Sequence, residues 1–298
     1  MALAQARLVA EALRAAHTWG EEAIEIVPIT TSGDIIQDRP LADFGGKALW
    51  TKELDRCLLD SRIDLSVHSM KDVETLRPPE LGFAAMLARA PTGDRLIGAE
   101  SLAALPGGAR VGTSSPRRKA QLLSRRPDLL AVPIRGNVQT RLAKVERGEV
   151  DATILAAAGL DRLGIDAGVA LDWLPAPSQG AVGVEIVWEN EELRQLVEAI
   201  DNRFAHGCVH AERQFLEALG GDCRSAVAAR ADWGPDEMGF SAEILSPDGR
   251  EVHRVDMDLY GSHHRDPADP ALALLRMASP SLRAMFNPVR SVRAGLGP

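Results

Sequence analysis

Three places in the sequence hold residues whose types and spacing suit chemistry. The first is "VHSMKDVETLRPPE", residues 67–80, where Lys71 and Asp72 stand side by side between a strand-like run and a proline-rich break. A carboxylate beside a cation stays ionised and can stabilise positive charge or carry protons, although a surface ion pair reads the same way. The second is "VGTSSPRRKAQLL", in which Ser115 can cap a helix and Pro116 suits its first position. Arg117 and Arg118 then fall in the first turn, where the helix dipole disfavours cations by about 0.3–1 kcal/mol each. An anion bound by the free N–H groups and two guanidinium forks offsets that cost. The third is "GGDCRS", a glycine-rich loop in which Arg224 would lower the pKa of the Cys223 thiol and leave a nucleophile.

Two further signals are weaker. "DFGGKALW" sets two glycines before Lys47 but lacks the GxxxxGK[ST] spacing of a nucleotide phosphate loop, so Lys47 is read only as a partner for a carboxylate. His206 and His210 share a helix face, yet Cys208 lies off it and no second ligand cluster is evident, so no metal is expected.

The elements that must position these residues alternate. "AIEIVPI" reads as a strand, "KALWTKELDRCLLDSR" as a helix, and "IDLSVHS" and "LGFAAML" as strands, after an amphipathic first helix in place of a targeting peptide. "ARAPTGDR" (88–95) and "LPAPSQG" (174–180) break the pattern. Between them run strand "ARVGTS", helix "PRRKAQLLSRR", strand "LLAVPIRG", helix "NVQTRLAKVERG" with Gly148 as its left-handed stop, and strand "VDATILAAAG". This places Arg135 at the end of a strand and Arg141 one turn into the next helix, at the sheet end where open α/β sheets take ligands. "AVGVEIVW" and "EELRQLVEAI" return to the first domain. A long helix ending at Gly220-Gly221, a hairpin turning at Pro247-Asp248-Gly249 and a final helix form a third domain. The expected organisation is α/β, with 1–88 and 181–200 as domain 1, 94–175 inserted as domain 2, and 203–298 as a small α+β domain 3. An inserted domain joined by two crossings makes a hinged cleft.

The net charge of −8 argues against a general nucleic-acid binder, and aromatics for base stacking are few. Between Arg110 and Arg147, however, ten basic residues face only Asp128 and Glu146. A basic pocket in an acidic protein suits a small or flexible polyanion. Three scattered cysteines fit a reducing compartment rather than a disulfide framework. A solute-binding protein for an organic anion has a similar cleft, but it needs neither a reactive Cys223 nor Asp72 and usually carries an export signal.

Taken in order, "GGK", "VHSMKD", "VGTSSPRR", "RGNVQTRL", "AAAGLDRLG", "PAPSQGAVGVE" and "ALGGDC" resemble the hydroxymethylbilane synthase (porphobilinogen deaminase) family over nearly the whole chain, loosely beyond about residue 235. The resemblance implies two periplasmic-binding-protein-like domains around a hinged cleft plus the small α+β C-terminal domain. It implies a cytoplasmic, monomeric transferase of porphyrin biosynthesis that joins four porphobilinogen molecules head to tail, releases ammonia and passes linear hydroxymethylbilane to uroporphyrinogen-III synthase. The chain grows on a dipyrromethane cofactor in thioether linkage to Cys223. Asp72 is the implied catalytic carboxylate. Lys47, Lys71, Thr113, Ser114, Ser115, Arg117, Arg118, Arg135, Arg141, Arg162 and Gln179 are the implied contacts to cofactor and substrate, whose acetates and propionates call for arginines. Two departures stand out. The family's first strand and "RxSxLA" turn, with an arginine and a serine of the site, have no counterpart before Met1, so lower stability and weaker activity are expected. Asp43 stands where the family commonly has a basic residue.

Overall fold

The computed structural model describes residues 1–30, 51–222, 224–260, 266–289 and 292. In chain order the elements are α1 (Ala2–His17), α2 (Lys52–Leu59), β1 (Leu65–Ser69), a 3-10 turn (Met70–Asp72), β2 (Leu81–Met86), β3 (Asp94–Ile97), β4 (Arg110–Gly112) and α3 (Pro116–Arg125). Then come β5 (Leu130–Val132), α4 (Val138–Glu146), β6 (Ala152–Ala156), α5 (Ala157–Asp161), β7 (Val169–Leu171), β8 (Val182–Val187) and α6 (Glu191–Glu198). The chain ends in α7 (Arg203–Leu219), β9 (Val227–Trp233), β10 (Met238–Leu245), β11 (Val252–Tyr260), α8 (Ala268–Met277) and α9 (Pro280–Arg283). It forms two compact units, Met1–Ala90 with Gly180–Gly207, and Pro91–Gln179 with Cys208–Pro298.

In the first unit β8 runs antiparallel between β1 and β2. Val9 and Leu13 of α1 and Val197 of α6 pack with Val184 and Ile186 of β8. Because β8 is covered on both faces, its "VGVEIV" is apolar at every position but one, Glu185. A carboxylate in a fully buried strand must be paired, and this one is.

In the second unit the strand order is β5-β4-β6-β3-β7. β4 is parallel to β5 and β6, whereas β3 is antiparallel to β6 and β7. Helix α3 is capped by the Ser115 side chain with Pro116 behind it, and α4 by Asn137. A second sheet, β11-β10-β9, is antiparallel throughout. Phe215 of α7 meets Phe240 of β10 edge to face with ring centres 5.3 Å apart, and Leu274 and Leu275 of α8 close the same core. Gly148 and Gly249 hold the left-handed conformations their stop and turn require.

The structure corrects four readings. "AIEIVPI" is not a strand: Ile24 is extended, but its carbonyl accepts from the Arg14 guanidinium at 3.1 Å, and among the described residues the segment joins no sheet. The break at 88–95 ends earlier than expected, because Asp94 and Arg95 open β3. The "AAAG" tail of β6 turns into α5, in keeping with alanine's helix preference. The helix expected over 47–62 is helical over Lys52–Leu59, and 47–50 lie outside the described residues.

Gly220 ends α7 with φ of +65°, and a Cβ there would run into the backbone carbonyl of Asn287. Gly220→Ala should therefore destabilise by more than the roughly 1–2 kcal/mol that the left-handed conformation alone costs. An unchanged urea midpoint would contradict this.

Candidate active site

The parallel strands β4, β5 and β6 end at one edge of the five-stranded sheet, and five of the expected arginines follow those ends. Arg117 and Arg118 come after β4, Arg135 and Arg141 after β5, and Arg162 after β6. Since β3 runs the other way, its first residue, Asp94, pairs with Ala156, the last residue of β6. The antiparallel strand thus delivers a carboxylate to the edge where the arginines gather.

Asp94 is 1% exposed and accepts from four side chains. Its Oδ2 takes Arg117 Nη1 at 2.9 Å and Trp173 Nε1 at 3.0 Å, and its Oδ1 takes Arg118 Nη2 at 2.7 Å and Gln179 Nε2 at 2.8 Å. Burial alone would raise the Asp94 pKa. Arg117, Arg118 and the hydrogen bonds outweigh it and hold the carboxyl well below its usual range. Burial and the like charge of Arg118 lower Arg117 against the pull of Asp94, though a guanidinium keeps its proton throughout. Arg117 Nη1 also donates to Gln121 Oε1 and the Leu174 carbonyl, and Arg118 Nη1 to the Ile154 carbonyl at 3.0 Å. On each arginine a buried donor is left over: among the described residues Nε of Arg117 and Nε of Arg118 have no hydrogen-bond partner.

Arg117 and Arg118 are therefore not solvated surface charges, and neither they nor Gln179 is available in the way a free side chain would be. Gln179 is buried and spends its amide on the Thr92 carbonyl and Asp94. Arg135 is half-buried and makes no ion pair or hydrogen bond among the described residues. Arg141 donates from Nε to the Gly136 carbonyl at 2.9 Å. Burial lowers the pKa of half-buried Arg162, and Asp161 opposes the shift. Thr113 accepts from the Ser115 amide at 3.2 Å, while Ser114 joins the end of β4 to Ile134 in both directions, next to Arg135. Asp94 was missed in the sequence; its signal was a lone aspartate inside a Pro-Gly break, ahead of two arginines that had no visible counter-charge.

In the other unit, Asp72 closes the 3-10 turn after β1 and is exposed, with half-buried Lys71 before it. The Asp72 carboxylate makes no hydrogen bond or ion pair among the described residues. Cys223, Lys47 and Asp43 lie outside the described residues. The neighbour expected to activate Cys223, Arg224, is paired with Asp222, Nη2 to Oδ2 at 2.6 Å, so its charge is already answered. His206 binds Asp201 at 2.8 Å, His210 is exposed and Cys208 is buried, and no metal-holding group of side chains occurs among the described residues.

Residues 1–195 match the family model described as "Porphobilinogen deaminase, dipyromethane cofactor binding domain", and residues 206–271 the one described as "Porphobilinogen deaminase, C-terminal domain". A porphobilinogen deaminase from Sphingopyxis alaskensis is 50% identical over 302 residues, covering 96% of this chain and 93% of the relative. One from Nitrobacter winogradskyi is 45% identical over 262 residues, covering 86% and 83%. The chain belongs to the porphobilinogen deaminase family. It is a transferase of tetrapyrrole biosynthesis that polymerises porphobilinogen into linear hydroxymethylbilane and binds a dipyrromethane cofactor. Among solved structures, a periplasmic substrate-binding protein from Coxiella burnetii aligns with a TM-score of 0.41 at 15% identity, over 68% of this chain and 91% of that one, a likeness too slight to argue from. The residues present fit a dipyrromethane: a porphobilinogen deaminase must hold several carboxylates, and two buried Nε–H donors without partners among the described residues at a helix N-terminus, with Arg135 following the neighbouring strand, suit them.

Asp94→Asn should destabilise by about 3–5 kcal/mol at neutral pH, because it removes the carboxylate that both buried cations bond, leaving only the more distant Glu243 to act on Arg117. The carboxyl's folded pKa is depressed, so its contribution is complete above about pH 4 and fades as the pH falls below that toward the folded pKa. Urea unfolding across that range should show the gap between the parent and Asp94→Asn narrowing as the pH drops; a constant gap would contradict the assignment.

Proposed function

We propose that Asp72 is the catalytic carboxylate of this enzyme, that Cys223 carries the dipyrromethane through a thioether, and that the arginines after β4, β5 and β6 hold the carboxylates of cofactor and substrate. The observation that carries this reading is the pair of orphaned Nε atoms on Arg117 and Arg118, buried and fixed by Asp94. A guanidinium whose orientation is already fixed loses little freedom of its own when a carboxylate reaches it, which is how preorganised groups stabilise charge. When bound, the dipyrromethane supplies a nucleophilic pyrrole carbon on which the product chain is built. Arg135, Arg141 and Arg162 supply further positive charge at the same sheet edge, and Thr113, Ser114 and Ser115 add hydroxyl and amide contacts at the end of β4.

Asp72, exposed and uncommitted, can accept hydrogen bonds from pyrrole N–H groups, stabilise positive charge as ammonia leaves, and take up the proton released when two rings join. Lys71 and Lys47 would bind a substrate carboxylate. The domains proposed for these roles are 1–88 with 181–200, 94–175, and 203–298. The enzyme is proposed to act as a cytoplasmic monomer that hands hydroxymethylbilane to uroporphyrinogen-III synthase; buried Cys57 and Cys208, neither of them in a disulfide, support a reducing compartment.

Asp72→Asn should retain the colour with Ehrlich's aldehyde reagent that reports bound dipyrromethane, while turnover falls about 10²–10⁴-fold. Cys223→Ser should give neither colour nor a mass increment. Normal turnover in Asp72→Asn, or colour in Cys223→Ser, would refute the corresponding role.

A further inference from the structure

The segment that carries Lys71 and Asp72 is tied at both ends to one buried carboxylate. Glu185 of β8 is fully shielded from water and lies directly opposite Ser66 of β1. Arg77 grips it with a fork, Nε to Oε1 and Nη2 to Oε2, each at 2.8 Å. His68 Nε2 lies 3.0 Å from Oε2 and 2.7 Å from Ser66 Oγ. An ionised carboxylate only accepts, so His68 Nε2 carries the hydrogen of that contact. Burial alone would raise the Glu185 pKa, and His68 and Arg77 together bring it below the usual value instead.

Arg77 also donates to Asp55 of α2 and, at 3.2 Å, to Glu74, which Thr51 holds at 2.9 Å. Three carboxylates thus converge on one permanent cation, and the weakest point of the cluster is the loss of any ligand of Arg77. His68 stands just before the 3-10 turn and Arg77 five residues after Asp72, so residues 69–76 form a loop closed onto Glu185. Inside the loop Met70 and Val73 are buried, the Met70 amide donates to the Ala181 carbonyl at 3.2 Å, and Gln5 donates to Ser69 Oγ at 2.7 Å. Asp72, between half-buried Lys71 and buried Val73, is turned outward, as is Leu76 at the far end of the loop.

We propose that Glu185 is a positioning residue for Asp72: by holding His68 before the turn and Arg77 after it, it fixes the direction in which the turn presents the carboxylate. The proposal rests on the assignment of Asp72 above.

The test is a double-mutant cycle on enzyme carrying its dipyrromethane, with rates normalised to cofactor content. Glu185→Gln in the parent should lower kcat about tenfold or more and move KM for porphobilinogen by less than about twofold, because a misplaced catalytic group costs rate before binding. In an Asp72→Glu background, whose carboxylate is already displaced by a methylene, Glu185→Gln should cost less than about twofold. Equal losses in both backgrounds would overturn the proposal, since a purely structural role acts whatever stands at position 72. Should Glu185→Gln fail to fold, Arg77→Lys, which keeps the cation and loses the fork, carries the same cycle with the same two outcomes. Full turnover in Asp72→Asn would sink the Asp72 assignment itself, and that result is distinct from additivity in the cycle.

Discussion

Two guanidinium groups withdrawn from water at the start of a helix persist only if a carboxylate meets them, and Asp94 is that carboxylate. Its position follows from topology. Three parallel strands bring Arg117, Arg118, Arg135, Arg141 and Arg162 to one sheet edge, and the antiparallel β3 sets its first residue against the end of β6. Buried ion networks of this kind add little net stability compared with well-packed apolar residues, so their better use is to fix geometry. Here the geometry fixed is that of two forks, each with its buried Nε unspent among the described residues.

The other unit uses the same device. Glu185 lies in an otherwise apolar strand and is met by Arg77 and His68, and the loop they close carries an exposed carboxylate rather than buried cations. In each unit an internal carboxylate organises groups at the end of a sheet, cationic in one case and anionic in the other.

Local features were legible in the sequence because they depend on near neighbours. Ser115 and Pro116 announce the start of α3, and Gly148 and Gly249 a stop and a turn. What the sequence hid is non-local. Asp94 sits in a stretch that looks like a break, and its partners Arg117, Arg118, Trp173 and Gln179 lie 23 to 85 residues away. The alternation of "AIEIVPI" suggests a strand, but alternation cannot reveal that Arg14 occupies the Ile24 carbonyl. Likewise nothing local marks Arg77 as the partner of a glutamate 108 residues on. The arginine pair was visible as a pair, but whether it faced water was not.

The central claim is that the arginines gathered at the sheet edge where Asp94 sits hold the carboxylates of a product chain as it grows. Intact-mass spectrometry of the cofactor-bearing enzyme, after limiting porphobilinogen, reads that chain directly as a ladder of added units. Replacing Arg135, the cluster member with no partner of its own among the described residues, by glutamine should make the ladder pile up at shorter chains. A ladder identical to that of the unaltered enzyme would contradict the account.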